Sequence, residues 1–330
     1  MPVILGIESS CDDTAAAVLV DGHIFSNIIA NQKVHKHYGG VVPELAARAH
    51  LQNIIPVVDQ ALSKANIDKK EVNAIAYTLG PGLIGSLLVG NSFAKSLSMS
   101  LEVPLIEVNH MHAHLLVHFE KSIPDPSFPF IGLTVSGGHT QLIIVKSPFE
   151  MEIIGQTLDD AVGEAFDKAG KMMGLPYPAG PYIDKYAQKG EPKIPFAKPN
   201  VPGLDFSFSG FKTSVLYYLK KQMQQDKDYI KNNRNDLCSS IQHILVSILM
   251  DKLQKAVIQT GIKEIVIGGG VSANSGLRQA LNDQKDWNVF VPPLSLTTDN
   301  AAMIAVAGYF KYQNKNFSVL DRQAQSRMSL

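Results

Sequence analysis

Hydrophobic and polar positions along this chain switch repeatedly between a period near two and a period near 3.6. The opening VILGIESS is a short apolar run ending in small polar residues, and TAAAVLVDG followed by HIFSNIIAN predicts a hairpin turning at Asp21-Gly22. From Pro43 to about Ala65, apolar residues including Leu45, Ala46, Ile54, Val57, Val58, Ala61 and Leu62 keep helical spacing, with Pro56 placed to kink the helix. NAIAYTLG then reads as a buried strand, GPG as a tight loop, LIGSLLVGNSFAKSLSMSL as a helix, PLIEV as a strand and HMHAHLLVHF as a helix. Such alternation predicts an α/β fold, a sheet covered by helices.

The pattern then restarts. PFIGLTVSGGHTQLIIVKSP repeats the strand, small-residue loop, strand order of VILGIESSCDDTAAAVLVDG, and EIVIGGGVSANSGLRQAL repeats that of AIAYTLGPGLIGSLLVG. Two matches in the same order predict a duplicated lobe. The three prolines of SIPDPSFP, residues 122–129, form a stiff connector, which places one lobe at 1–125 and the other at 126–330. Residues 189–206, with four prolines, are expected to make an exposed excursion from the second lobe.

A length of 330 residues suits two such lobes, each able to bury a core without disulfides. With 45% hydrophobic and 18% charged residues, the chain is neither disordered nor fibrous. No stretch approaches the roughly 20 apolar residues of a membrane span, and Glu8 comes too early for a signal-peptide core, so neither export nor membrane insertion is expected. Cys11 and Cys238 form no framework and no CxxC pattern, which fits a reducing, cytoplasmic setting. The formal charge of +0 divides into 9 Lys/Arg against 17 Asp/Glu over residues 1–165 and 21 against 13 over 166–330. Either a polyanion meeting the second half or pairing between the halves accounts for that division.

Three groups of residues are candidates for chemistry. His110 and His114 in NHMHAH stand four apart, so on a helix they share a face and can hold one metal; hydrogen-bonded histidines at a polar helix start are the alternative. No HExxH is present, so the general base of a zinc protease is missing. Asp299 in TTDNAAMIA is the best third ligand, although a helix N-cap suits it too. His, His and Asp fit iron or zinc.

Glycine turns follow apolar strands at Gly80-Pro81-Gly82, Ser136-Gly137-Gly138-His139 and Gly268-Gly269-Gly270, where backbone amides can approach phosphate oxygens. None is a P-loop or a dinucleotide fingerprint. Asp167 can hold a ribose, act as a catalytic group or belong to a solvated helix face, and Asp184 can bind ribose or cap a helix. Asp12 and Asp13 lie in a loop between two strands where a carboxylate can position an amine or a metal, surface solvation being the alternative.

Taken in order, ESSCDDTA, VVPELAARAH, LGPGLIGSLLVG, NHMHAH, VSGGHTQL, DDAVGEAFDKAGKMMGLPYPAGP, FSFSGFKTS, GGGVSANSGLR and TDNAAMIA resemble the bacterial and organellar TsaD family, once described as glycoproteases. The resemblance implies two duplicated lobes of the actin, Hsp70 and sugar-kinase (ASKHA) superfamily around a nucleotide cleft. It implies transfer of threonylcarbamoyl from its adenylate to the exocyclic amine of the adenosine 3′ of the anticodon in tRNAs that read codons beginning with A. It makes His110, His114 and Asp299 ligands of one divalent iron or zinc, and Thr134, Val135, Ser136, Gly137, Gly138, Asp167, Gly180, Asp184 and Asn274 the pocket for adenylate, ATP or AMP. Archaeal and eukaryotic relatives carry Tyr where this chain has Thr134, so a phenolate ligand is absent here. Asp12 matches an acidic loop residue implicated in activity and is the candidate catalytic base. Implied partners are tRNA, a paralogous inactive two-lobed protein (TsaB-like) and a small P-loop ATPase (TsaE-like). A small-molecule kinase of the same fold, a metalloprotease and an ATP-dependent scaffold are the competing classes.

Overall fold

A computed structural model describes residues 1–32, 34–35 and 38–328. Six successive buried residues make Val3–Glu8 (β1) a central strand. It pairs antiparallel with Thr14–Val20 (β2), which turns through Asp21 and Gly22, both at positive φ, into His23–Ala30 (β3). That hairpin and its turn residues agree with the sequence pattern. On its other side β1 runs parallel to Ala74–Gly80 (β4), which is parallel to Leu105–Asn109 (β5), giving the order β3-β2-β1-β4-β5. Pro43–Ala65 (α1) and Ile84–Leu101 (α2) belong to the same unit; α1 continues past Pro56 to a left-handed cap at Asn66. His110–Leu116 (α3) follows β5 directly.

The second unit repeats this plan. Phe130–Val135 (β6), Thr140–Ser147 (β7) and Glu150–Gln156 (β8) form the antiparallel part, while Glu264–Gly268 (β9) and Asn288–Phe290 (β10) add parallel strands, in the order β10-β9-β6-β7-β8. Read from the other edge, that order matches the first sheet strand for strand, so the duplicated α/β lobe is real. Its helices are Val162–Met172 (α4), Gly180–Ala187 (α5), Ser209–Gln225 (α6), Tyr229–Asn232 (α7), Arg234–Thr260 (α8) and Ser275–Asn282 (α9). The proline-rich stretch is mostly exposed and forms no helix or strand, as the sequence predicts, but it is pinned to the unit at several points. Ile194, Phe196 and Phe206 are buried in the core, and Lys252 Nζ donates to the carbonyls of Val201 and Gly203.

Residues 292–330 differ from expectation, since they belong with 1–126 rather than with 127–291. Ala301–Gln313 (α10) covers the face of the first sheet carrying Ile4, Gly6 and Ala76, and Ser318 N and Gln325 N donate to the carbonyls of Leu105 and Leu79. Asp299, assigned by sequence to the second lobe, is therefore part of the first. The charge division shrinks as well: residues 127–291 carry 18 Lys/Arg against 16 Asp/Glu, and the other unit 12 against 14.

Glycine sets how closely α10 approaches. A Cβ on Gly6 would lie 2.5 Å from the Ala301 carbonyl oxygen and 2.8 Å from the Ala305 nitrogen, and one on Gly308 would collide with the Ala76 side chain. Gly6→Ala is expected to destabilise the first unit by about 1–3 kcal/mol, the usual cost of overpacking. It should also weaken whatever Asp299 binds, because Asp299 is carried at the start of α10. Urea unfolding and metal titration of the variant check both effects; an unchanged midpoint would show that the helix shifts freely.

Candidate metal centre

The carboxyl ends of β1, β4 and β5 bring together residues far apart in the chain. Asn109 caps α3 by accepting from the amides of Met111 and His112, which leaves His110 and His114 one turn apart on the helix. Their rings meet edge to face with centroids 4.7 Å apart. Asn300, not Asp299, is the N-cap of α10, its side chain accepting from the Met303 amide. The carboxylate of Asp299 is thus left to the histidines, with Oδ1 at 3.4 Å from His110 Nε2 and 3.3 Å from His114 Nε2.

One donor atom from each of the three residues lies within 4.8 Å of the others, and the two imidazoles are buried. Neither ring nitrogen of His114 makes a well-formed hydrogen bond. Buried polar atoms without partners are rare, and two imidazoles and a carboxylate converging on one point suit a divalent cation. His112, on the same short helix, is not part of the group; burial pushes its pKa down to about 4, with the charge of Lys311 adding to that.

A further carboxylate stands behind His110. Glu8, fully buried, places Oε2 at 3.0 Å from His110 Nδ1 and 2.6 Å from the Thr78 hydroxyl, while Oε1 accepts from the Ser10 amide. Burial works against the charged form of His110, but Glu8 and Asp299 outweigh it and hold this imidazole well above its usual pKa. Burial alone would raise the Asp299 carboxyl; the His110 charge, with both imidazoles in close polar contact, holds it below the carboxylate range. His114 is shifted down by burial. A cation bound at His110 Nε2 would displace the proton there, since a ligating imidazole nitrogen must be deprotonated. The signal for Glu8 in the sequence is a lone acid closing an otherwise apolar strand, since a buried charge requires partners.

Asp12 lies half-buried in the turn between β1 and β2. Leu83 N donates to the Ser10 carbonyl, and the Cys11 carbonyl accepts from the Ser86 hydroxyl at 2.9 Å and from His50 Nε2 at 3.0 Å. The Cys11 carbonyl only accepts, so His50 Nε2 carries the proton, and Nδ1 of the neutral ring accepts from the Thr14 hydroxyl at 2.8 Å; the helical pattern alone does not single this histidine out. Asp13 is pushed up to about 7 by burial, against its hydrogen bond from Asn31 and with the charge of Asp12 adding to the rise.

The remaining candidates cluster within the second unit, at the carboxyl ends of β6 and β9. Thr134 and Val135 end β6, fully buried, and Thr134 Oγ1 has no hydrogen-bond partner among the described residues. Ser136 closes a turn onto His139, while a Cβ on Gly137 or Gly138 would meet nothing within 4 Å. Gly163, opening α4, donates to the Ser136 carbonyl. Asp167 accepts from the Ala179 amide at 2.6 Å beside Gly180, and burial raises its pKa despite the backbone hydrogen bonds it receives. Asp184 accepts from the amide and hydroxyl of Ser275, and Asn274 caps α9 while donating to Gln242. These three side chains fasten α5 and α9 around the strand ends, the usual place for ligands in an α/β sheet.

A family model described as tRNA N6-adenosine threonylcarbamoyltransferase matches residues 23–306. Curated relatives with that description include one from Christiangramia forsetii, 62% identical and covering 98% of this chain and 97% of the relative, and one from Riemerella anatipestifer, 58% identical over 99% and 98%. Among solved structures, HypF from T. kodakarensis matches with a TM-score of 0.62 at 13% identity over 98% of this chain and 49% of that one. Component A of (R)-2-hydroxyglutaryl-CoA dehydratase from Acidaminococcus fermentans matches at 0.56 and 16% over 95% and 100%. At such identities these structures establish the shared ASKHA-type fold alone.

Proposed function

The chain belongs to the tRNA N6-adenosine threonylcarbamoyltransferase family, and from that premise we propose that it moves threonylcarbamoyl from an adenylate to the exocyclic amine of the adenosine 3′ of the anticodon in tRNAs reading codons that begin with A. The observation that carries the site assignment is the convergence of His110, His114 and Asp299, with the two buried ring nitrogens of His114 making no well-formed hydrogen bond among the described residues. We assign these three as ligands of one divalent iron or zinc. When bound, the metal would supply Lewis acidity toward a carbonyl oxygen of the threonylcarbamoyl group.

In the transfer, a bond forms between the adenosine N6 and the carbamoyl carbon, the bond from that carbon to the phosphate oxygen of AMP breaks, and the amine loses a proton. An exocyclic amine is a weak nucleophile, so it needs a positioned base; we assign Asp12, on a turn held by His50 and Ser86. The turn Ser136–Gly138 has open space at both glycines, which lets backbone amides hold the phosphate; Thr134, Val135, Asp167, Gly180, Asp184 and Asn274 complete the adenylate pocket. A kinase has no use for the paired histidines, and a zinc protease of the HExxH kind lacks its base. The experiment is to supply the chain with tRNA and threonylcarbamoyl adenylate, together with the partner proteins, and to assay the nucleoside. N6-threonylcarbamoyladenosine is expected; its absence, with the adenylate intact, would contradict the transferase reading.

Partners follow from the same reading. Helices α1 and α2 expose Leu51, Ile55, Ile84 and Leu88, spaced as i, i+4 pairs, an apolar face that suits helices of a paralogous two-lobed protein. A small P-loop ATPase and a cytoplasmic setting, where tRNA is found, complete the proposal. No helix among the described residues is long and apolar enough to cross a membrane.

Basic residues in 166–330 are candidates for tRNA contact, and the structure separates them. Lys198 pairs with Asp251, Lys212 with Asp160, and Arg278 donates to the Ser272 carbonyl, whereas Lys220 and Lys221 are exposed on α6 beside exposed Tyr217. Reversing Lys220 and Lys221 to Glu is expected to weaken tRNA binding and flatten its salt dependence by roughly 0.7 in log–log slope per lost phosphate contact. Adenylate binding should be unchanged. An unaltered salt slope in the full assembly would assign the tRNA surface to the partners.

A further inference from the structure

We propose that Glu8 is a positioning residue of the metal centre: its carboxylate accepts a hydrogen bond from Nδ1–H of His110, which keeps the proton on Nδ1 and leaves the Nε2 lone pair for the cation on the Asp299 side. This rests on the assignment of His110, His114 and Asp299 as the ligands. A carboxylate only accepts, and Glu8 receives the Ser10 amide, the Thr78 hydroxyl and His110 Nδ1. Two of these donors are anchored on strands or strand ends, so the carboxylate cannot follow the imidazole if the ring turns. Nδ1 also lies 3.2 Å from the Ser10 hydroxyl, which can accept from it or donate elsewhere, so the acceptor-only Glu8 carboxylate is what keeps Nδ1 protonated. Nε2, on the far side of the ring, is the nitrogen 3.4 Å from Asp299. Glu8 and Asp299 therefore address opposite edges of one imidazole, and Glu8 is outside the group of donor atoms that can share a metal.

The strand geometry explains why this residue can do so. Ile4 and Gly6 face α10, and with alternation Glu8 faces the same side, as Thr78 does on β4 after Ala76. His114 has no such partner on Nδ1. Of the two histidines, only His110 is held in one tautomer and one orientation by a carboxylate, and outer-shell carboxylates of this kind typically change metal affinity about 10–100-fold.

The test uses the full chain and Zn²⁺, titrated against a chromogenic chelator. Glu8→Gln is expected to bind Zn²⁺ about 10–100-fold more weakly, and Thr78→Val to shift in the same direction by less. The effect should vanish to within about twofold in a His110→Ala background, since the two residues then no longer act together. An equal loss in that background would show that Glu8 acts through the fold and would overturn the proposal. Full affinity in Glu8→Gln while His110→Ala is impaired would overturn it too, with the ligand assignment intact. Failure of the unaltered chain to bind Zn²⁺ would bring down the ligand assignment and this inference together. Nitrogen NMR of the Zn²⁺-loaded, unmutated chain is independent of whether variants fold: a protonated Nδ1 and a coordinated Nε2 on His110 are expected, and the reverse would refute the role.

Discussion

Replacing His110 and His114 together with alanine is expected to abolish metal binding and threonylcarbamoyl transfer while the chain still folds. Single replacement of either, or of Asp299, should cost most of the affinity. Outer-shell partners are typically worth about 10–100-fold, and loss of two direct ligands must exceed that. Folding should survive because His114 gives up no well-formed hydrogen bond within the protein and the hydrophobic cluster under α1 and α2 does not include either histidine. His110 does give up the hydrogen bond to Glu8, so His114→Ala is the milder test of folding. Metal content by elemental analysis, circular dichroism and a tRNA modification assay on the same preparations check the three statements. Full metal occupancy in the double variant would remove these residues from the site.

The second large effect is expected at Asp12. If it removes the amine proton, Asp12→Asn lowers the single-turnover transfer rate about 10²–10⁴-fold, the usual worth of general base assistance. Adenylate binding should stay within a few-fold of the unaltered chain. Its neighbour provides an internal comparison, because burial holds Asp13 up to about 7, close to the pKa best suited to a base at neutral pH. A base works deprotonated, so a rate limited by Asp13 would rise with pH through about 7. Such a rise that persists in Asp12→Asn and disappears in Asp13→Asn would transfer the role to Asp13. An Asp12→Asn variant with an unchanged rate would return Asp12 to a solvated loop residue.

Local pattern made much of this legible. The hairpin at Asp21-Gly22, the helix from Pro43 to Ala65 and the strand-loop-strand repeat depend on residues near one another in sequence, and the sheets follow them. The pairing of His110 with His114 is likewise local, one turn of helix. What escaped depends on distant contacts. The return of residues 292–330 to the first unit is dictated by how close Gly6 lets α10 approach, which periodicity does not encode. The role of Glu8 depends on His110, 102 residues on, and no local pattern ties the two together. The contact of His50 with the Cys11 carbonyl, 39 residues away, is equally outside what helical periodicity encodes. The charge division by chain halves lost most of its size once residues were grouped by unit, because sequence halves are not spatial neighbours.

Metal-edge X-ray absorption of the Zn²⁺-loaded full chain reads the proposed centre most directly. Two imidazole nitrogens at about 2.0–2.1 Å with oxygen completing the shell are expected, and the imidazole scattering should disappear in the His110→Ala/His114→Ala variant. A shell without imidazole, or one unchanged by that double replacement, would contradict a metal centre built on His110, His114 and Asp299.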